Sequence, residues 1–269
     1  MLARFSIALL ACVLCSLPLL KAQGQLAPIV TDRPSVTDSS IVIPAESIQA
    51  ENGFLDNSTQ TLRTLDGPET LVRFGFLSKT ELRFNVPDYY YNENTGLAAG
   101  APTASGFGDL AVGVKQQLVP TRNGFGVSVV AYVSFPTGAQ AISSHGYDPA
   151  LQVPWSHPLS ARWTLAGMLS LYWPTQGGER NHTGEPTILL DRRLTGPWDV
   201  FVEYLGDFSE RGGPRNLLHF GTTLKIRGVH QVDFHVGVGS NAGTTFDFFG
   251  FGYSFRIQAI RHSCSRPAP

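Results

Sequence analysis

The sequence predicts an all-β fold, a twelve-stranded antiparallel transmembrane β-barrel of the outer-membrane type. Three observations lead there. The 269 residues include 28 Gly and 18 Pro, with 11% aromatic and only 15% charged side chains, a mixture that favours strands and turns over amphipathic helices. Stretches of about ten residues with alternating polarity recur along the chain, the length a tilted strand needs to cross a bilayer. The connections between them alternate between short and long, as a barrel with two unlike rims requires.

Before the strands comes an export signal. Arg4 gives it a positive start, Ile7 to Leu20 are almost wholly apolar, and Lys21-Ala22 precede a polar stretch, which reads as a secretory signal over residues 1–22 with cleavage after Ala22. The apolar run stops at Lys21, short of the roughly 20 residues a membrane helix needs. Cys12 and Cys15 leave with the signal, so Cys264 alone remains, and neither a disulfide nor a cysteine metal site is expected. A formal net charge of −1 excludes a phosphate-neutralising surface and with it a nucleic-acid partner.

The twelve expected strands run over 46–55, 68–77, 80–87, 107–118, 125–135, 148–157, 161–172, 185–194, 198–206, 216–226, 229–239 and 246–257. Short connections hold Ser78-Lys79-Thr80, Thr121 to Gly124, His157-Pro158-Leu159, Gly196-Pro197 and Arg227-Gly228; the longer ones span 56–67, 88–106, 136–147, 173–184, 207–215 and 240–245. This divides the chain into signal (1–22), leader or plug (23–45), barrel (46–257) and periplasmic tail (258–269).

Every second residue of a strand points the same way. Val127, Val129, Ala131, Val133 and Phe135 form one face, as do Val232, Phe234, Val236 and Val238, and Phe249, Phe251, Tyr253, Phe255 and Ile257. A soluble sandwich would bury these faces, and periodicity alone does not separate the two arrangements. Strand length, alternating connections and aromatics near strand ends (Trp155, Trp163, Tyr172, Trp173, Trp198, Tyr204) favour lipid outside and charge inside. The lumen then carries Glu51, Glu81, Asp109, Asp191, Glu203 and Asp233 with Arg73, Arg83, Lys115, Arg193 and Lys225, and with His219 and His235. Lys or Arg facing lipid near the midplane would cost about 2–4 kcal/mol. These charges either pair with one another and fill the tube or form a ring that binds solutes in passage. The leader is either a simple periplasmic segment or a plug whose Asp32 and Arg33 pair with the wall.

Thr31-Asp32-Arg33-Pro34, Ile43-Pro44, and Ile48-Gln49-Ala50-Glu51-Asn52-Gly53 stand before and within the first strand. Gly106-Phe107-Gly108-Asp109-Leu110 with Gly113 and Lys115 occupy the fourth strand, and Pro136-Thr137-Gly138 closes the fifth. In this order and spacing the chain resembles, from about residue 31 to 257, the family of outer-membrane transporters named for the meta-pathway of phenol degradation in Gram-negative bacteria. The resemblance implies a passive outer-membrane conduit for small organic solutes, aromatic or hydrophobic ones among them, with outer-membrane lipid around it and the barrel-assembly machinery as its partner in biogenesis. The chain departs from the usual barrel ending on an aromatic residue, because Arg256 to Pro269 follow Phe255.

Two other classes compete with the conduit. Twelve-stranded barrels can hydrolyse lipid with a Ser/His pair, and Ser134, Ser156, Ser170, His219, His230 and His235 are available, yet neither a G-x-S-x-G turn nor an H-E-x-x-H helix occurs. No catalytic residue, metal ligand or cofactor is therefore assigned, and no enzyme is expected. A structural or adhesive barrel would use loops such as Tyr89-Tyr90-Tyr91-Asn92 to bind a surface partner.

Overall fold

The computed structural model describes residues 27–96, 103–121 and 124–258. The expected signal peptide and residues 259–269 of the expected tail lie outside the described residues. Within them the chain is all-β, and no helix is long and apolar enough to cross a membrane.

Fifteen strands form one antiparallel sheet that closes on itself. β1 (Ser47–Thr59) pairs with β17 (Thr244–Gln258) from Ser47↔Gln258 to Thr59↔Phe246, which removes the free edge an open sheet would expose. Three staves of the barrel are each made of two strands: β2 (Leu62–Gly67) with β3 (Leu71–Leu77), β4 (Thr80–Asn85) with β5 (Tyr89–Asn94), and β6 (Gly106–Phe107) with β7 (Leu110–Val119). The others are single: β8 (Gly126–Phe135), β9 (Asp148–Pro158), β10 (Trp163–Tyr172), β13 (Thr183–Arg193), β14 (Trp198–Ser209), β15 (Gly213–Ile226) and β16 (His230–Asn241). With β1 and β17 they make twelve staves. β11 (Thr175–Gln176) and β12 (Glu179–Arg180) form a separate small hairpin in one connection.

The broken staves interrupt at one level. Gly53 N donates to Pro68 O at 2.7 Å, Val86 N to Thr70 O at 2.9 Å, and Gly108 N to Asp88 O at 2.8 Å, so the breaks are bonded to one another across the wall. Relative to β1, the step from Asp66 (opposite Leu55) to Phe74 (opposite Ile48) holds one residue too many. An extra residue of this kind is a bulge, which bends the strand and redirects side chains. Here it turns Glu69 toward the lumen, where Arg33 meets it.

Connection lengths differ from the sequence expectation at one rim. Only 95–105, 136–147 and 173–182 are long; the connections expected at 56–67, 207–215 and 240–245 shrink to 60–61, 210–212 and 242–243 because the strands run on past them. Polar residues such as Asn57, Ser58 and Asn241 continue the ladder there, since backbone pairing does not need apolar side chains. Ala242, at φ +47°, and Gly243, at φ +89°, form one of the two-residue turns, a primed geometry that suits the twist of the flanking strands.

The two faces follow the alternation. Val236 and Phe251 are 47% and 44% exposed on the outside, while Arg73 and Lys115 are 0% exposed within. Tyr172 departs from the expected girdle: its parity turns it inward, where its hydroxyl takes a hydrogen bond from Gln152 and donates to Glu185. Phe246 and Phe248 also face inward, with Leu205 and Leu217 in an apolar cluster of the lumen. Placing Arg at Val236, midway along β16 on the outer face, is expected to cost about 2–4 kcal/mol and to lower the temperature at which the folded, fast-migrating gel species is lost; an unchanged temperature would reverse the assignment of faces.

Candidate functional site: a lumen threaded by the leader

The lumen is not empty. The leader enters at the rim of short connections, where Ile29 N donates to Gly228 O at 2.6 Å and Arg256 donates to the carbonyls of Ala27 and Pro28. It runs inward through Thr31–Asp38 and returns to the same rim, where Glu46 N donates to Gly75 O at 2.7 Å and β1 begins. Gly75 is necessary there, because a Cβ would collide with the Pro44 carbonyl.

An irregular segment inside a barrel must find partners for its own amides. Three wall glutamates provide them. Glu51 Oε2 accepts from Asp32 N at 2.8 Å and Arg33 N at 3.0 Å. Glu203 accepts from Val36 N at 2.9 Å and Thr37 N at 2.7 Å, and from the Thr37 hydroxyl at 2.5 Å. Glu81 Oε2 accepts from Ile43 N at 2.8 Å. All three glutamates are fully buried.

The wall cations knit these acids together. Arg73 contacts Glu81 at 2.8 Å, Glu51 at 2.9 Å and Asp32 at 3.5 Å, and donates to the carbonyls of Val30 and Ile41 at 3.1 Å each. Arg83 reaches Asp32 at 2.6 Å, Asp38 at 3.0 Å and Glu81 at 3.1 Å, and hydrogen-bonds the Tyr132 hydroxyl. Lys115 Nζ approaches Asp32 Oδ1 at 3.3 Å. Asp32 is thus the leader residue on which three wall cations converge.

On the opposite wall a second chain of contacts runs from Glu203 to His219 Nδ1 at 2.8 Å, from His219 Nε2 to His235 Nδ1 at 3.0 Å, and from His235 Nε2 to Arg33 Nη2 at 3.5 Å. Asp233 is fully buried and lies 3.5 Å from Arg33 Nη2. Arg33 Nη1 lies 2.5 Å from Glu69.

Of the residues expected in the lumen, Glu51, Arg73, Glu81, Arg83, Lys115, Glu203, His219, Asp233 and His235 meet around Asp32 and Arg33. Asp191, Arg193 and Lys225 stand apart, toward the leader's entry: Lys225 bonds Asp199 at 2.8 Å, Arg193 is 3.7 Å from Asp199 with most of its side chain exposed, and Asp191 lines a cavity. Asp109 does something different. It sits in the break between β6 and β7 and accepts from Gly138 N at 2.8 Å and Ser144 N at 3.0 Å, tying the 136–147 connection to the rim. Glu69, Asp38 and Tyr132 join the network without having been singled out in the sequence. Both Tyr132 and Glu69 were legible, since Tyr132 shares the inward parity of Ser128 and Glu69, within the expected strand 68–77, that of Arg73.

Two cavities flank the leader. One of about 280 Å³, on the side of its entry, is lined by leader residues with Asp191, Asp199, Lys225, Leu189 and Phe201. The other, of about 200 Å³, is lined by Leu71, Asn85, Tyr132 and Gln152. Arg33, Ser35 and Asp38 border both, so the septum between them is leader, not wall. Among the described residues no cluster of His, Cys, Asp and Glu is arranged to hold a metal ion, and the bonds of His219, His230 and His235 go to Glu203, to each other, to Arg33 and to Tyr253, not to a serine.

Known structures repeat this architecture. An outer membrane channel from Pseudomonas putida F1 superposes with a TM-score of 0.66 at 10% identity, covering 80% of this chain and 97% of that one. The NanC porin gives 0.55 at 9% identity over 78% and 100% of the two chains, and the KdgM porin, solved in complex with disordered oligogalacturonate, 0.51 at 10% over 76% and 99%. At such identities the likeness is one of fold, that of outer-membrane channels. No curated protein matches the sequence. The family model for the MetA-pathway of phenol degradation matches residues 31–257, nearly the whole span of leader and barrel, and the chain belongs to that family.

Proposed function

We propose that the protein is a passive conduit in the outer membrane of a Gram-negative cell, exported by residues 1–22, inserted by the barrel-assembly machinery, and closed in this conformation by its own leader. The observation that carries this reading is the septum: cavities on both sides of the leader meet at Arg33, Ser35 and Asp38, so movement of a short polar segment joins them without any change in the wall. The solutes it passes are small organic molecules with both polar and apolar surface. Thr31, Ser35, Thr37, Ser39, Ser40, Ser156 and Thr164 supply hydroxyls to the larger cavity, and Leu189, Ala166, Phe201 and Pro158 supply apolar walls. That combination suits a small aromatic ring bearing a hydroxyl, in keeping with the family. The lumen charges bind the leader when it is in place and line the path when it is not.

A protein lacking residues 23–40 is expected to fold and to carry a larger single-channel current in planar bilayers than the parent; equal currents would mean that the leader does not close the path. Glu203→Ala removes the acceptor for Val36 N, Thr37 N and the Thr37 hydroxyl, and is expected to raise the frequency of current steps without abolishing the folded gel species. Arg73→Ala has the opposite emphasis. It strands Glu51 and Glu81 in a buried site, an effect of about 3–5 kcal/mol when one partner of a buried ion pair is lost, and is expected to lower the unfolding temperature more than Glu203→Ala does.

A further inference from the structure

Arg33 reaches into the wall, not along the lumen axis. Its guanidinium lies in a cleft at the seam where β1 and β17 close the barrel, and Gly53 and Gly252 stand directly opposite each other there. The three atoms nearest to a Cβ added at Gly53 all belong to the Arg33 guanidinium, and a Cβ at Gly252 would lie 2.7 Å from Arg33 Nε. Side-chain atoms do not approach so closely, so the cleft exists because both strands carry glycine at this pair. Its floor is the bare backbone of this glycine pair, on which the flat guanidinium lies.

Its edges are acidic. Glu69 lies 2.5 Å from Arg33 Nη1 and Asp233 3.5 Å from Nη2, with His235 Nε2 also 3.5 Å from Nη2. Asp233 is fully buried, yet neither of its carboxylate oxygens accepts a hydrogen bond, and Arg33 Nε donates none. Glu51, which also faces Asp233, is already committed to Arg73, to Gln49 and to the amides of Asp32 and Arg33. A buried carboxylate without hydrogen bonds is costly, and here it borders the cleft with acceptor capacity that Arg33 leaves unused.

The geometry points to a binding site for small organic cations of the guanidinium class in the barrel wall, in which Arg33 is the resident occupant and a guanidinium solute in the lumen is its competitor. Planarity fits the glycine floor, and in-plane N–H groups fit the two carboxylates, a pattern that a rounded quaternary ammonium does not satisfy. Access from the lumen rests on the conduit reading; the site itself does not, so the test has one readout for each.

The test adds methylguanidinium, or tetramethylammonium at equal concentration, to the purified barrel and follows unfolding temperature and planar-bilayer current. Arg33→Ala is expected to unfold at a lower temperature than the parent, with the loss restored by methylguanidinium and not by tetramethylammonium. Its current, larger than the parent's, should fall saturably with methylguanidinium, and adding Asp233→Asn should raise the half-saturating concentration about tenfold or more, the effect of losing one hydrogen bond to a charged group. Gly53→Ala expels Arg33 but fills the cleft with its own methyl group, so it should also be destabilised and show no restoration. Equal responses to the two cations, or restoration of Gly53→Ala, would overturn the site. If Arg33→Ala does not fold alone, refolding yield with each cation is read the same way: a yield raised by methylguanidinium only supports the site, and equal yields overturn it. Loss of current from the protein lacking residues 23–40 would remove the conduit reading instead and leave the unfolding readout intact.

Discussion

The structure depends on wall carboxylates hydrogen-bonding the backbone of an irregular peptide. A chain segment without helix or ladder cannot be buried unless each amide finds an acceptor. Glu51, Glu203 and Glu81 take five leader amides between them, and Arg73, Ser128 and Gln117 donate to leader carbonyls in return. All three glutamates are fully buried, and buried carboxylates need cations beside them. Arg73, Arg83 and Lys115 follow from that need. Their charge in turn demands Asp32 and Asp38, which the leader itself brings. Peptide and wall each satisfy what the other leaves open.

Much of this was legible because a β-barrel exposes its logic in a period of two. Once Val127, Val129 and Val133 are placed on one face, Ser128, Val130 and Tyr132 fall on the other, and the same alternation brings Glu203, His219, Asp233 and His235 inward. The sequence also marked Asp32 and Arg33 as charges between signal and first strand with no strand pattern of their own. Geometry had to decide between a dangling leader and a folded one, since hydrogen bonds from backbone amides to distant glutamates leave no trace in spacing.

What escaped the sequence has physical causes of the same kind. The bulge itself left no signal, so the break of the strand at Pro68-Glu69 was not expected, although Glu69 keeps the inward parity of Arg73. Strand ends were misplaced beyond 55, 206 and 239 because the ladder continues through Asn57, Phe208 and Asn241 after the lipid-facing pattern fades. Asp109 reads as a lumen acid by parity, but the break at residues 108–109 frees it to hold Gly138 and Ser144. Phe246 and Phe248, which no sequence reading assigned to a face, share the inward parity of Gly250 and Gly252 and pack on Leu205, Leu217 and Val36.

A barrel of twelve staves is wider than the eight-stranded kind whose own side chains fill it. The leader supplies the missing volume, and its composition shows how. Ile29, Val42 and Ile43 are buried at the rim where it enters and leaves, and Val36 packs at the inner turn against the apolar cluster. Between these points Thr, Ser, Asp and Arg predominate, with Val30, Pro34 and Ile41 among them. Apolar contacts hold the two ends, while the stretch dividing the cavities is held by hydrogen bonds and ion pairs that water can replace one by one. The ladder from β1 round to β17 does not involve the leader. In the conduit proposed above, rearrangement of the polar stretch would change the path through the lumen while leaving the backbone ladder of the wall intact.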